Sequence, residues 1–266
     1  MLPPTVAADL SGRDLAALTS AEAAEVAGSI VLVPVGAVEQ HGPHLPLGTD
    51  SWLAHRVALG AAARCTDVLV GEALPIGCSA HHRSFPGTLS LRPATFIAMI
   101  TEVAHCLATD GFIPVFVNGH GGNRAPLGAA LQELLADGVE AWGLSYFELI
   151  RTQLEEGFPD PTAIGHACAM ETSLSQALWS ELVHADRIPE HSGTGRYPDA
   201  SLFSGDPVTR HVRFEQLSPN GVVGDPAAAS AQTGQDLLES AVTELAAVCD
   251  RIRRTAAASR RVGGSA

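Results

Sequence analysis

Three side chains suited to binding a divalent metal ion stand close together in the segment GAVEQHGPHLPLGTD. Glu39 and His41 are two residues apart, so in an extended chain both side chains point to the same side. Asp50 follows across a loop that Pro43 and Pro46 stiffen. Two carboxylates and an imidazole are ligands that Zn²⁺ and Mn²⁺ accept. The alternative is that the two acids cap turns and that His41 is a surface loop residue.

A second polar segment, NGHGGN, follows a short apolar run and precedes a stretch of helical length. Asn118 and Asn123 are two of the three asparagines in the chain, and the glycines between them let the backbone turn His120 toward the same edge. A dinucleotide fingerprint G-x-G-x-x-G fails here, since its third place is Arg124. Anion binding at the helix N-terminus stays open, and it would make the chain a nucleotide- or sugar-phosphate-binding protein that uses Gly119–Asn123.

A third segment, GHACAMETS, carries one more imidazole and one more carboxylate. If a helix begins near Met170, Glu171 lies in its first turn and His166 on the loop before it. Glu171 is then either a further metal ligand, with His166 as a proton carrier, or an acid favoured by the helix dipole. The three segments together offer three carboxylates and two imidazoles, which match two divalent ions that share one carboxylate: Glu39, His41, Asp50, His120 and Glu171. Two ions roughly 3.5–4 Å apart activate water and polarise a carbonyl, which indicates hydrolysis.

The elements that must position these residues alternate along the chain. Short apolar runs predict strands at 29–35, 67–70, 113–117 and 139–146, and alanine-rich stretches predict helices at 51–64, 93–109, 125–136, 170–183 and 226–254. This alternation favours an α/β fold with a mostly parallel central sheet covered on both faces. Ligands of such sheets bind beyond the carboxyl ends of the strands, which is where the first two polar segments begin.

The length of 266 residues fits one domain, which we place at residues 1–255. We expect a long ordered loop over 184–224, which is rich in Pro, Gly, Ser and His and closes over one end of the sheet. We expect a flexible C-terminal tail over 256–266.

Composition excludes several classes of function. The formal net charge of −13 repels nucleic acid, and the absence of lysine excludes a Schiff base, a pyridoxal-phosphate anchor and a P-loop. Five cysteines without C-x-x-C spacing indicate neither a disulfide framework nor a cysteine zinc site. No apolar stretch approaches the roughly 18 residues of a membrane span, and no targeting segment is evident. We therefore expect a cytoplasmic protein without nucleic-acid or membrane partners.

Five motifs in the chain resemble those of the creatininase family of metal-dependent amidohydrolases, and they fall in the family's order: GAVEQHGPHLPLGTD, FPGTLS, VNGHGGN, GHACAMETS and GVVGDP. The resemblance implies a three-layer α/β/α sandwich and hydrolysis of an amide, lactam or formamide C–N bond in a small molecule or short peptide. It also implies two divalent ions per chain, zinc or manganese with iron as a further candidate, and a homohexamer.

The resemblance also assigns roles to residues. His166 is the acid/base that serves the leaving nitrogen, and His82, in SAHHRSFPGT, contacts the substrate or supports a ligand. Asn118, Gly122 and Asn123 lie in the motif around the metal-binding histidine and are assigned to the substrate or to the support of a ligand. One ion is assigned to Glu39, Asp50 and His120, and the other to His41, Asp50 and Glu171.

Two positions depart from the family pattern. Gly122 stands where creatinine-hydrolysing members carry an acidic residue, and Ala169 replaces an acid that often precedes the ETS triplet. The missing side chain at Gly122 predicts a wider pocket beside the metals and a substrate other than creatinine.

Overall fold

The fold consists of a parallel sheet with helices on both faces. The computed structural model describes residues 13–190, 195 and 210–263, with the side chains of the last helix up to Ala256. Its strands are β1 (Ile30–Val35), β2 (Val68–Val70), β3 (Ile113–Asn118) and β4 (Trp142–Ser145). Its α-helices are α1 (Ser20–Glu25), α2 (Thr49–Ala63), α3 (Pro93–Thr109), α4 (Arg124–Ala136), α5 (Tyr146–Leu149), α6 (Arg151–Gly157), α7 (Ala169–Trp179) and α8 (Ala231–Gly263).

The order of the strands determines where a ligand can bind. The strands run parallel in the order β2-β1-β3-β4, so the chain leaves β1 toward one side for β2 and returns on the other side as β3. Val35 at the end of β1 pairs with Asn118 at the end of β3. The carboxyl ends of these two strands form the topological switch point, the usual ligand crevice of open α/β sheets.

Two hydrophobic cores, one on each face of the sheet, make the fold three-layered. All six residues of β1 are buried, as expected for a strand covered on both sides. Leu32 packs with α2, α7 and α8 on one face, whereas Val31 and Val33 pack with α3 and α4 on the other. The predicted α/β/α sandwich is confirmed.

Some element boundaries differ from those predicted. Strand β4 begins at Trp142 instead of 139, and helix α7 gives way to a 3-10 turn after Trp179. Pro226 opens a separate 3-10 turn, so α8 begins only at Ala231. Helix α8 continues to Gly263, because TAAASRRV consists mostly of good helix formers. Part of the segment expected to be a tail is therefore helical, while the division into a domain and a tail stays a prediction.

The predicted loop over 184–224 contains two short 3-10 turns, Ala185–Arg187 and Phe214–Gln216, in the part that the structure describes. Residues 191–194 and 196–209 lie outside the described residues. Along the described chain, no helix combines the length and apolar character that crossing a membrane requires. The five cysteines are free thiols.

Candidate metal centre

Five buried side chains converge at the switch point between β1 and β3. The loop after β1 supplies two of them, the loop after β3 supplies one, and the first turns of α2 and α7 supply one each. The fold thus brings together all five residues that the sequence proposed as ligands, and each is at most 7% exposed: Glu39, His41, Asp50, His120 and Glu171.

Asp50 lies at the centre of this cluster. Its Oδ1 is 3.0 Å from Nε2 of His41, and its Oδ2 is 3.1 Å from Nδ1 of His120. Nε2 of His41 also lies 3.8 Å from Oε1 of Glu171, and Nδ1 of His120 lies 3.3 Å from Oε1 of Glu39. One carboxylate therefore faces two separate groups of donor atoms, one with each of its oxygens.

Each imidazole of the cluster is fixed at one nitrogen by a main-chain carbonyl. Nδ1 of His41 lies 3.1 Å from the Glu39 carbonyl oxygen, and Nε2 of His120 lies 3.2 Å from the Cys78 carbonyl oxygen. A carbonyl only accepts, so these nitrogens carry the proton of the neutral ring, and we assign a lone pair to the nitrogen that faces the carboxylates. This pattern of one N–H on a backbone carbonyl and a free lone pair is typical of metal-binding histidines.

Three carboxylate oxygens in the cluster lack a hydrogen bond within the described structure. Both oxygens of Glu39 and Oδ2 of Asp50 are buried without a partner, although imidazole nitrogens lie nearby. Buried carboxylates without compensation are costly, and lone pairs facing carboxylates need a cation between them. The donor set of nitrogens and carboxylates fits divalent metal ions such as zinc and manganese.

Three groups of side chains among the described residues offer ligand atoms within 4.8 Å of one another. His41, Asp50 and Glu171 form one group, which is the second set implied by the family resemblance. Glu39 takes part in the other two, with His81 and His120 in one and with His41 and His166 in the other.

The charges of the cluster bind protons when no cation is present. Burial alone lowers the pKa of His41, but the carboxylates of Asp50, Glu171 and Glu39 raise it to about 10. Burial also acts to lower the pKa of His120, but the charges of Glu39 and Asp50 raise it well above its ordinary value. Burial raises the pKa of Glu171 to about 7, although His41 opposes this shift. A metal ion entering the cluster must therefore compete with protons.

His166 lines the wall of the cavity beside this cluster. Its Nε2 lies 2.7 Å from the carbonyl oxygen of Gln40, so its Nδ1 carries the lone pair and lies 3.7 Å from Oε1 of Glu39. Burial and the charge of His41 lower the pKa of His166 well below its ordinary value, which keeps the ring neutral. Ala167 next to it has a φ of 49°, and this left-handed turn connects His166 to helix α7.

His82 faces the carboxylate of Glu39 with an N–H instead of a lone pair. The side-chain amide of Gln40 donates to Nδ1 of His82 at 2.8 Å, so the proton of His82 is on Nε2, 3.3 Å from Oε1 of Glu39. Gln40 itself is fixed, because its amide also donates to the Gly221 carbonyl and its Oε1 accepts from the Gly42 amide. His82 therefore turns an N–H toward Glu39 at this distance without forming a hydrogen bond to it.

Asn118 and Asn123 hold the turn that carries His120. The amide of Asn118 donates to the His120 carbonyl at 2.8 Å, and its oxygen accepts from the His120 amide at 3.1 Å. Asn123 accepts from the Cys78 amide and donates to the Gly36 carbonyl. Both side chains are buried and engaged in these internal hydrogen bonds.

The space beside Gly122 is filled, which corrects the expectation of a wider pocket there. A Cβ at this position would lie 2.5 Å from Nε2 of His120 and 2.8 Å from Cε1 of His81, and it would also collide with the Cys78 carbonyl oxygen. The ring of His81 stacks on that of His120, with 5.6 Å between centroids and 9° between planes. Glycine is thus required by a neighbouring side chain and does not leave a gap.

A cavity of about 380 Å³ opens onto the cluster. Its polar wall includes Glu39, Asp50, His120, His166 and Glu171, and its other side is apolar: Phe147, Leu154, Ile164, Met170 and Phe214.

Sequence reasoning did not identify several residues of this site. Gln40 lies in the sequence between the proposed ligands Glu39 and His41, and this position could have indicated that it belongs to the site. The hydroxyl of Thr172 forms a hydrogen bond of 2.9 Å with Nε2 of His44, and this bond connects the loop after β1 to helix α7. Phe214, whose ring centroid is 3.9 Å from that of His82, comes from the loop over 184–224 and has no sequence signal.

Comparisons with known proteins find relatives over most of the chain. The family model of creatininase, described as creatinine amidohydrolase, matches residues 16–249. A mycofactocin precursor peptide peptidase of Mycolicibacterium smegmatis is 34% identical over 231 residues, which cover 85% of this chain and 85% of the relative. The creatinine amidohydrolase of Pseudomonas putida is 31% identical over 244 residues, 85% of this chain and 90% of the relative. The solved structure of creatininase in its Mn form superposes with a TM-score of 0.74 at 28% identity and covers 91% of this chain and 98% of that one.

Proposed function

The chain belongs to the creatininase family, and on that premise we propose that it hydrolyses an amide bond at a centre of two divalent metal ions held by Asp50 and its neighbours. It is a metal-dependent amidohydrolase, an enzyme that acts on C–N bonds. One ion would be held by Glu39, Asp50 and His120, and the other by His41, Asp50 and Glu171. Zinc and manganese are the proposed ions, a choice supported by the mixed nitrogen and carboxylate donors and by the Mn form of the creatininase neighbour.

One observation carries this proposal. Asp50 turns one oxygen to His41 and the other to His120, at 3.0 and 3.1 Å, while three carboxylate oxygens around it are buried without hydrogen bonds. A shared carboxylate of this kind is what two neighbouring cations need. When bound, two such ions lower the pKa of a water molecule toward neutrality and polarise the carbonyl of the substrate.

The residues of the chain supply the proton transfers. Because the Gln40 carbonyl holds Nε2 of His166, only Nδ1 is free to accept a proton from the attacking water. The same atom then delivers that proton to the leaving nitrogen as the C–N bond breaks, which balances the hydrolysis. His82 turns its Nε2–H toward Glu39 at 3.3 Å. The apolar side of the cavity, with Phe147 and Phe214, excludes water and binds the carbon skeleton of the substrate.

Among amides, we propose a short peptide or a substituted formamide as the substrate in place of creatinine. The similarity to a peptide peptidase supports a peptide, and the lack at position 122 of the acid that creatinine-hydrolysing members carry argues against creatinine. The other candidate, phosphate binding at Gly119–Asn123, loses support, because the carboxylates of Glu39 and Asp50 face His120 in this segment. Clustered carboxylates repel a phosphate group.

The proposal is tested by removing metal with a chelator and restoring zinc or manganese before an assay on three probes: creatinine, a dipeptide and an N-formyl amino acid. We expect hydrolysis of the dipeptide or the formamide to disappear with the metal and to return with it. A creatinine kcat/KM of about 10⁴ M⁻¹s⁻¹ or more would overturn the substrate choice. Stabilisation by phosphate ligands, with no response to metal, would favour the phosphate-binding alternative.

A further inference from the structure

A second, larger cavity lies beside the cavity of the metal centre. It has a volume of about 640 Å³ and lies between the N-terminal turns of α3 and α4. Its wall is mostly apolar and includes Leu91, Pro93, Ile97, Pro126 and Ala129. We call it the apolar pocket.

The apolar pocket shares part of its wall with the cavity of the metal centre. His81, Gly122 and His211 line both cavities. Gly122 contributes no side chain to this border, and a Cβ there would be 2.5 Å from Nε2 of His120. The apolar pocket therefore lies against the Nε2 side of His120, a proposed metal ligand, with His81 and Gly122 in the wall between the two cavities.

The chemistry of the wall determines which group fits. Apart from the histidines, Arg213 is the one charged side chain among the described residues that line the apolar pocket. It lies at the mouth, and its side chain is 77% exposed. The interior offers few polar partners, so it holds water poorly and favours hydrocarbon. Ile97 and Leu91 are only partly buried in the chain and lose the rest of their exposed surface when such a group binds.

We propose that the apolar pocket is a specificity pocket for the substrate of the metal centre. It takes a branched aliphatic or aromatic substituent next to the scissile amide, while the amide itself lies at the cluster around Asp50. This inference rests on the proposed function and narrows it to amides with a bulky apolar group. It also supplies the space for a bulky substrate that Gly122 itself does not provide.

The test uses binding and does not require the natural substrate. Hydroxamic acids chelate divalent metal ions through two oxygens, so they place a chosen substituent beside the metal centre. Acetohydroxamate is compared with benzo-, phenylaceto- and 3-phenylpropanohydroxamate by calorimetry on the metal-loaded full chain. We expect the best aromatic probe to bind at least about 10-fold more tightly than acetohydroxamate, since hydrophobic pockets discriminate by about that factor or more per methylene.

Substitutions in the pocket wall then test whether the tighter binding of the aromatic probe comes from the apolar pocket. Ala129→Phe fills the apolar pocket and is expected to abolish the aromatic gain while leaving acetohydroxamate binding and metal content unchanged. Ala136→Phe introduces the same side chain at an exposed position of the same helix and is expected to keep the gain. Ile97→Ala, which removes part of the wall instead of filling it, is expected to reduce the gain several-fold, and it serves if Ala129→Phe does not fold.

The outcomes separate the two proposals. Acetohydroxamate binding without an aromatic gain, or a gain that survives both Ala129→Phe and Ile97→Ala, overturns the specificity pocket and leaves the metal centre intact. A protein that takes up no metal and binds no hydroxamate overturns the proposed function, and this inference with it.

Discussion

At the scale of single residues, the site depends on which nitrogen of each imidazole carries the proton. Main-chain carbonyls fix one nitrogen of His41, His120 and His166, so each turns a lone pair toward the carboxylates. His82 is the exception, because Gln40 donates to it and leaves its N–H facing Glu39. Three rings can therefore receive a proton or a cation, while the fourth turns an N–H toward a proposed ligand.

His166 is expected to move protons without being needed for metal binding. A positioned acid/base contributes about 10²–10⁴-fold to the rate, so His166→Ala should lower turnover by that factor and leave the metal content unchanged. Turnover and metal content are measured on the same preparation, with His105→Ala, a half-buried histidine away from the site, as the control. Loss of metal from His166→Ala would instead make His166 a ligand, as its proximity to Glu39 and His41 allows.

Gln40 is expected to determine which nitrogen of His82 carries the proton. In Gln40→Glu the amide donor becomes an acceptor, so the proton of His82 moves to Nδ1 and its Nε2 faces Glu39 without a hydrogen. Residues that support metal ligands contribute about 10–100-fold to metal affinity or activity, and we expect a loss in that range by competition with a chelator. The ¹⁵N shifts of His82 should report the changed tautomer.

The matched control for this substitution is Gln132→Glu on the exposed face of α4. Unchanged metal affinity together with an unchanged His82 tautomer in Gln40→Glu would contradict the assignment.

At the scale of elements, the ends of β1 and β3 explain why the ligands could be anticipated from the sequence. The first two polar segments directly follow buried apolar runs, and neighbouring parallel strands end at one edge of the sheet. Glu39 and His120 could therefore be placed together before their contact was known. The role of Glu171 needed the family motif, because the helix dipole explains an acid at that position equally well.

Other parts of the site could not be predicted, because sequence patterns do not show which distant segments pack together. Phe214 reaches His82 from a segment without periodicity. The ring of His81 occupies the space beside Gly122, where the residue type alone suggested a gap. The continuation of α8 to Gly263 depends on helix propensity in a stretch that also resembles a polar tail.

Substitution of Gly122, in the turn Gly121–Asn123, tests whether the space beside this residue is filled. We expect Gly122→Glu to destabilise the protein by about 1–3 kcal/mol, because its side chain must displace His81 from the ring of His120. It should not create creatinine hydrolysis, although it restores the acid of creatinine-hydrolysing members. Denaturant unfolding and a creatinine assay measure the two effects, with Gly128→Glu as a control in open space on α4. Full stability with a new creatinine activity would contradict the packing described here.

At the scale of the whole molecule, charge and family resemblance favour opposite states of assembly. The formal charge of −13 opposes self-association, whereas the family resemblance implies a hexamer built as a trimer of dimers. We predict a hexamer by light scattering at micromolar concentration, and we expect added salt to favour it by screening the repulsion. A monomer under these conditions would contradict the transfer of the assembly from the family.

Metal content measures directly whether Asp50 holds two ions at once, as we propose. Elemental analysis of protein purified without added metal should give about two equivalents per chain for the wild type. Asp50→Asn keeps the shape of the side chain but removes its charge, so both equivalents should be lost or weakened together. The exposed Asp137→Asn should retain both. Two tightly bound ions in Asp50→Asn, or the loss of only one, would contradict the shared carboxylate.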